Sequence, residues 1–301
     1  MTDKKKKIII GVAAAVVVLI AIIIAVFAIK GNKKADEVNA EPTQDIVNEI
    51  ITTEQAESEA AAITTEAATT ATVITTEATT VAPTTEATPT SKTINKTNAH
   101  IAEMYNNALS GVKANATSLT REYKKLSSLP EYLELPSAIK SIGSAAISQF
   151  VKGTDTPETW TSKEDMKIIF PAGGTDYCSK ISADMIESAT CVDTGSEYEL
   201  EIKLYDDKIT SPNKGEGYAG AFNTVTASSI KEVSIPMVTF NKIDVKGING
   251  SISAKIDKAT GRVTDVTFRN TDILSMDVKV ALSDVSAQIA LAVEENFKVK
   301  Y

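Results

Sequence analysis

Histidine, cysteine and closely set carboxylates are the groups through which a chain does acid–base, nucleophilic or metal chemistry, and this sequence offers few of them. His100 is the single histidine. A Ser-His-Asp or Cys-His site would have to be built on it, but at the start of an amphipathic stretch it reads as an exposed surface residue. Asp206-Asp207 and the run from Asp155 to Glu164 lack the spacing of a calcium loop, and no Cys/His cluster of the zinc kind is present. The Gly-rich stretch Lys214-Gly-Glu-Gly-Tyr218, with Gly220, follows a strand pattern, yet a phosphate cradle needs Gly-Lys-Ser/Thr entering a helix and Glu216 stands there instead. It reads as a mobile loop that carries Tyr218 and Phe222 over a cleft mouth. The reading is therefore of a protein that is not an enzyme, with no catalytic, cofactor-binding or metal-ligating residue assigned.

Cys178 and Cys191 are the only cysteines. Outside the cytoplasm a bridge between them is permitted, and closing a loop of about 15 residues contributes roughly 3 kcal/mol in the chain-entropy treatment. A continuous helix between them would separate the Cα atoms by ~20 Å, far beyond the ~7 Å a disulfide spans. A bridge thus requires Ser182–Ala189 to hold only a turn or two of helix, with the chain folding back into the strand-like Thr190–Asp193. Two buried thiols are the other arrangement.

The elements that would position these groups fall into three materials. The formal charge of −8 divides into about +6 over Met1–Lys34, −11 over Ala35–Ser91 and −3 over Lys92–Tyr301, and nothing beyond the first is basic enough for nucleic acid. Ile8–Ile29 is uncharged, and 15 of its 22 residues are Ile, Val, Leu or Phe. As a helix it is ~33 Å long, a match to a bilayer core. It is longer than the usual apolar run of a cleaved signal peptide, so residues 1–34 read as a cytoplasmic tail and an uncleaved transmembrane anchor. Lys4–Lys7 before the span and Lys30, Lys33 and Lys34 after it place the amino terminus in the cytoplasm and the rest outside.

Residues 35–91 contain no lysine, arginine or aromatic side chain, and Thr-Thr-Glu recurs at Thr64, Thr75 and Thr84, with a weaker copy at Thr52. The irregular spacing and missing apolar periodicity predict a disordered stalk of low complexity. As a coil it has an r.m.s. reach of roughly 40–45 Å. Its dense threonines are also acceptors for O-glycans.

Residues 92–301 have the mix of a folded domain. Ile101, Tyr105, Ala108, Val112, Leu119, Tyr123 and Leu126 form one stripe and predict a long helix over Lys96–Leu126, capped by Thr97, with Gly111 in its interior. Ile139, Ile142, Ala146, Ile147 and Phe150 predict a shorter helix over Ser137–Val151. After Gly153 the period changes to two. Tyr198–Leu204 alternates cleanly; Met166–Phe170 and Thr239–Lys246 read as weaker strands. Ile252–Ile256 and Val263–Asn270 form a hairpin around Asp257–Gly261, followed by alternation over Met276–Leu282 and Ile289–Tyr301. Glu295 interrupts the last apolar face, which predicts a bulge at that residue. The fold class is α+β: an N-terminal transmembrane helix, a disordered stalk, then the two helices packed on a curved antiparallel sheet.

The runs IAEMYNNALSGVKANATSLTREYKKL, FPAGGTDYCSKISADMIESATCVDTGSEYELEIKLYDD, ISAKIDKATGRVTDVTFRN and the closing ENFKVKY resemble uncharacterised membrane-anchored surface proteins of Gram-positive anaerobic bacteria. The helix-then-sheet order is similar, more loosely, to lipoprotein-carrier-like folds. That resemblance implies a surface domain behind an anchor and transfers no catalytic residue. Together these features predict a single-pass cell-membrane protein whose extracellular domain, on its flexible stalk, binds an apolar ligand, a wall component or an envelope protein, with the bilayer as partner through residues 8–29. The alternative is a structural or sensory surface protein without a small-molecule ligand.

Overall fold

The long alternating runs of the C-terminal third become the three central strands of one antiparallel sheet in a computed structural model that describes residues 91–136, 151, 153–206, 209–232, 238–280 and 283–301. The strands are β1 (Lys92–Thr93), β2 (Ser118–Ser128), β3 (Glu158–Trp160), β4 (Ile186–Asp193), β5 (Glu197–Leu204), β6 (Val238–Asp257), β7 (Val263–Val280) and β8 (Ser283–Lys300). Their order in the sheet is β1-β4-β5-β6-β7-β8-β2-β3, and every neighbouring pair is antiparallel. The architecture is α+β and mostly β. The anchor and stalk expected over residues 1–90 lie outside the described residues, as does the expected second helix except for Val151. Among the described residues no helix is long and apolar enough to cross a membrane.

The β6–β7 hairpin forms where the sequence places it. Asp257 accepts from the Thr260 backbone N–H at 2.8 Å and from its hydroxyl at 2.7 Å, and Gly261 closes the turn at φ +68°, a conformation cheap only for glycine. β5 is also as expected: Leu200, Ile202 and Leu204 are buried while Glu199, Glu201 and Lys203 alternate outward.

Two element assignments are corrected. The stripe over Lys96–Leu126 is a helix only from Asn98 to Leu109 (α1), joined at Gly111 to a short helix Val112–Asn115 (α2) and then to β2. Thr97 caps α1 as expected, accepting from the His100 N–H at 3.3 Å. The misleading stripe comes from a bulge between Arg121 and Tyr123: one extra residue puts Leu119 and Leu126, seven apart, on the same face of β2, while Tyr123 turns to the other face and bonds Glu294, so a strand reads as two helical turns. Met166–Phe170 is not a strand; Lys163–Ile169 is helix α3, whose Ser162 cap accepts from the Asp165 N–H, with Glu164 and Asp165 in its first turn. Acidic residues there complement the helix dipole.

α1 packs Ile101, Tyr105, Ala108 and Leu109 against the inner face of the sheet. An aromatic cluster fills the layer beside it: Phe170 lies edge-on to Phe268 and Phe297 at centroid distances of 5.9 and 5.5 Å, and Phe222 lies edge-on to Phe268 at 6.3 Å. Edge-to-face pairs add about 0.5–1.5 kcal/mol each beyond area burial. A short helix α4 (Ala227–Lys231) packs against β6.

A polar belt crosses the inner face, with apolar residues on both sides of it. Buried Arg121 and Lys124 on β2, Glu295 on β8, and Asn270 and Asp272 on β7 stand between Phe268 and Phe297 on one side and Leu274, Met276 and Leu291 on the other. The bulge expected at Glu295 is absent. β7–β8 pairing runs unbroken through Phe268↔Glu295 and Arg269↔Glu294, and the carboxyl points inward at 2% exposure. The irregularity sits instead on β2, where it turns Lys124 to the same face as its cross-strand partner Glu295. The outer face is polar and crossed by ion pairs such as Lys255–Glu199 at 2.9 Å.

Candidate functional site

Where β5 ends, the side that alternation sends outward continues from Lys203 to Tyr205, and the chain leaves the sheet. Tyr205 is 47% exposed, one of two large apolar side chains left so open among the described residues; the other is Ile168. Its backbone N–H donates to Met185 O at 3.0 Å, which ties the end of β5 to the 3-10 turn Ala183–Met185 that leads into β4. One residue into β4 the register slips between Ile186 and Ser188. The extra residue, Glu187, meets Lys203 at 2.9 Å, and the carboxylate holds the lysine above its ordinary pKa.

The opposite wall comes from the Gly-rich loop. Ser211 donates its backbone N–H to Val245 O at 2.8 Å, which docks the loop on β6. Gly217, at φ +52°, leaves no room for a Cβ against Thr210 O. Below it the Tyr218 hydroxyl donates to Tyr205 O at 3.3 Å and accepts the Gly250 N–H at 3.1 Å, joining loop, β5 end and β6. Gly250 lies in a second bulge, between Ile248 and Ser251, where Asn249 at φ +55° donates its N–H to the Asp206 carboxylate at 2.5 Å.

These pieces enclose an open groove of about 940 Å³. Among the described residues Met185, Tyr205, Ile209 and Pro212 supply its apolar lining, and Asp184, Glu187, Asp206 and Glu216 supply carboxylates beside the ammonium of Lys203. Ser182 stabilises the Asp184 carboxylate and lowers its pKa; Asn213 Nδ2 donates to Glu216 at 3.0 Å. A separate hollow of about 350 Å³ over β4 and the Asn249 bulge shares Lys203 with the groove. A third hollow, about 330 Å³, lies among Lys242, Asp244, Asp277 and Gln288. The belt residues Arg121, Lys124, Glu295 and Asp272 line none of the three. Among the described residues no three His, Cys, Asp or Glu side chains are grouped to hold a metal.

The residues singled out from sequence are not brought together. His100 is exposed on the first turn of α1, its ring 2.7 Å from Lys96 Nζ. Tyr218 and Phe222, expected over a cleft mouth, are 0% and 1% exposed and stack at 5.1 Å in the core; only Glu216 and Gly217 of that loop border the groove. The physical reason is a notch in β6: a Cβ at Gly247 or Gly250 would overlap the Tyr218 ring, so two glycines let the ring lie on the strand. Cys178 and Cys191 are free thiols, both buried, and burial raises both pKa values. The chain does fold back between them through a single 3-10 turn, but the thiols pack in the core without bridging. Sequence reading missed Tyr205 as a site residue, although an aromatic side chain on the polar side of a strand, followed by two aspartates, was the available signal.

No protein-family model, curated protein or solved structure matches this chain.

Proposed function

We propose that the domain at 92–301 is a non-enzymatic binding module of a single-pass membrane protein. Ile8–Ile29 anchors it in the cell membrane, the Thr/Ala/Glu-rich thread holds it away from the surface, and the groove beside Tyr205 takes a component of the cell envelope. The groove carries this reading. An exposed aromatic side chain in a half-polar, open channel is where a partner gains contact area without paying to unpack a core. The layer between α1 and the sheet is filled by Tyr105, Leu109 and the aromatic cluster, which favours a partner on the surface over an apolar ligand inside. The buried, perturbed Lys124 and Glu295 lie away from the groove, where the shifts of Lys203 and Asp184 come from hydrogen bonds of exposed groups to Glu187 and Ser182, which supports binding over catalysis.

The test is retention of the purified full-length protein on isolated cell envelopes, compared with a Tyr205→Ala/Asp206→Asn variant. Loss of retention by the variant supports the reading; equal retention overturns it. Protease added to intact cells tests the display: it should remove 92–301 while leaving the membrane segment with the cells.

A further inference from the structure

We infer that the groove takes an extended cationic peptide, one whose lysine or arginine side chains lie along it. This rests on the groove being the binding surface and adds the chemistry of what fills it. Carboxylates stand on both sides, Asp184 and Glu187 from the turn and strand of one wall, Asp206 and Glu216 from the other, and the ammonium among the described lining residues, Lys203, is already paired with Glu187. Between them Met185, Ile209 and Pro212 offer an apolar floor, and the Tyr205 ring stands open. That combination suits lysine and arginine, whose methylene stems cover apolar surface while the charged head reaches a carboxylate or an aromatic face. A compact polyamine would fill only part of the space. Lys203 also borders the neighbouring hollow over Ser188, Ala189 and Thr190 of β4, and the two together accommodate several residues of extended chain at about 3.3 Å each.

The cation is assigned to another molecule. The thread at 35–91 holds eleven acidic residues and no basic one, and 92–301 is itself acidic, so neither the stalk nor a second copy complements the groove. The dense run Lys4–Lys7 lies on the far side of the membrane in the proposed topology, and Lys30, Lys33 and Lys34 on the outer side are broken by Gly31 and Asn32 and followed closely by Asp36 and Glu37.

The experiment uses full-length protein in zwitterionic detergent and fluorescently labelled pentalysine, read by anisotropy, with pentaglutamate and spermine as comparison probes. Pentalysine should bind in preference to both, more weakly as salt rises. Asp206→Asn/Glu216→Gln should weaken it about tenfold, the loss of two or three exposed charge contacts. Tyr205→Ala should weaken it about threefold and Tyr205→Phe by much less, because the ring face is kept. Asp277→Asn/Asp284→Asn, at the far ends of β7 and β8, should leave it unchanged. Absence of pentalysine binding, or equal weakening by the distant pair, overturns the inference. Tighter binding of spermine overturns the peptide in favour of a compact amine. Envelope retention separates the two levels: groove variants that lose retention while pentalysine fails to bind overturn only the cationic peptide, whereas variants that keep retention overturn the binding reading itself.

Discussion

Lys124 and Glu295 are direct cross-strand partners of β2 and β8 on the buried face of the sheet, 7% and 2% exposed. Burial pushes the lysine's pKa down and the carboxyl's up, and each is pulled back by the charge of the other. Glu295 Oε2 has no hydrogen-bond partner. Taking away one member of such a pair leaves the other buried without the charge that most offsets its own. Lys124→Met should therefore cost on the order of 3 kcal/mol, and Lys124→Met/Glu295→Leu should recover most of it. Denaturant unfolding at neutral pH measures both, and an equal loss in the double variant would refute the coupling.

The pH dependence of the same carboxyl has a definite sign. Its folded pKa lies above the ordinary 4.5, so the folded chain holds a proton that the unfolded chain has released. This contribution to stability is complete below pH 4.5 and is lost as pH rises through the raised folded value. Glu295→Gln stays neutral and should flatten the unfolding free energy across that window while the parent declines.

Lys113 presents the opposite sign. Its ammonium, 5% exposed, donates to Tyr177 O at 2.7 Å, Ala172 O at 3.0 Å and Thr175 O at 3.3 Å. Burial lowers its pKa from 10.5 to about 8. The unfolded lysine holds more protons between those values, so stability should rise with pH from about 8 to 10.5 and Lys113→Met should lack the rise. Ala172 O and Tyr177 O keep the Thr175 hydroxyl at 2.6 and 2.9 Å after the substitution, so only Thr175 O loses its side-chain donor and the cost near pH 7 should be about 1 kcal/mol.

The notch under Tyr218 predicts a pair of size effects. Gly247→Ala or Gly250→Ala drives a methyl into the ring and should destabilise by about 1–3 kcal/mol or more. In a Tyr218→Leu background the alanine at Gly247 should cost clearly less, a coupling that a double-mutant cycle reads directly.

Both thiols should be inert to a thiol reagent in the folded protein and react fully once it is unfolded, two per chain without prior reduction. Burial withholds the thiolate that would react. Reaction of none after unfolding without reductant would mean that the thiols pair.

Local chemistry is what the sequence determined by itself: the Thr97 cap, the Asp257–Gly261 hairpin, the alternation of β5 and the α+β class follow from side chains within a few residues of one another, as does the acidic, lysine-free thread. Tertiary structure decided wherever a residue's face depends on a distant strand. The bulge beside Arg121 made β2 look helical and aimed Lys124 at Glu295 across a separation of some 170 residues in sequence. Tyr218 went into the core because glycines on β6, some 30 residues away, made room for its ring, while Tyr205 stayed open where β5 ran out. Side-chain periodicity sets which residues share a face. Which face is covered, and where an extra residue shifts the phase, is settled by pairing between strands brought together only when the chain folds.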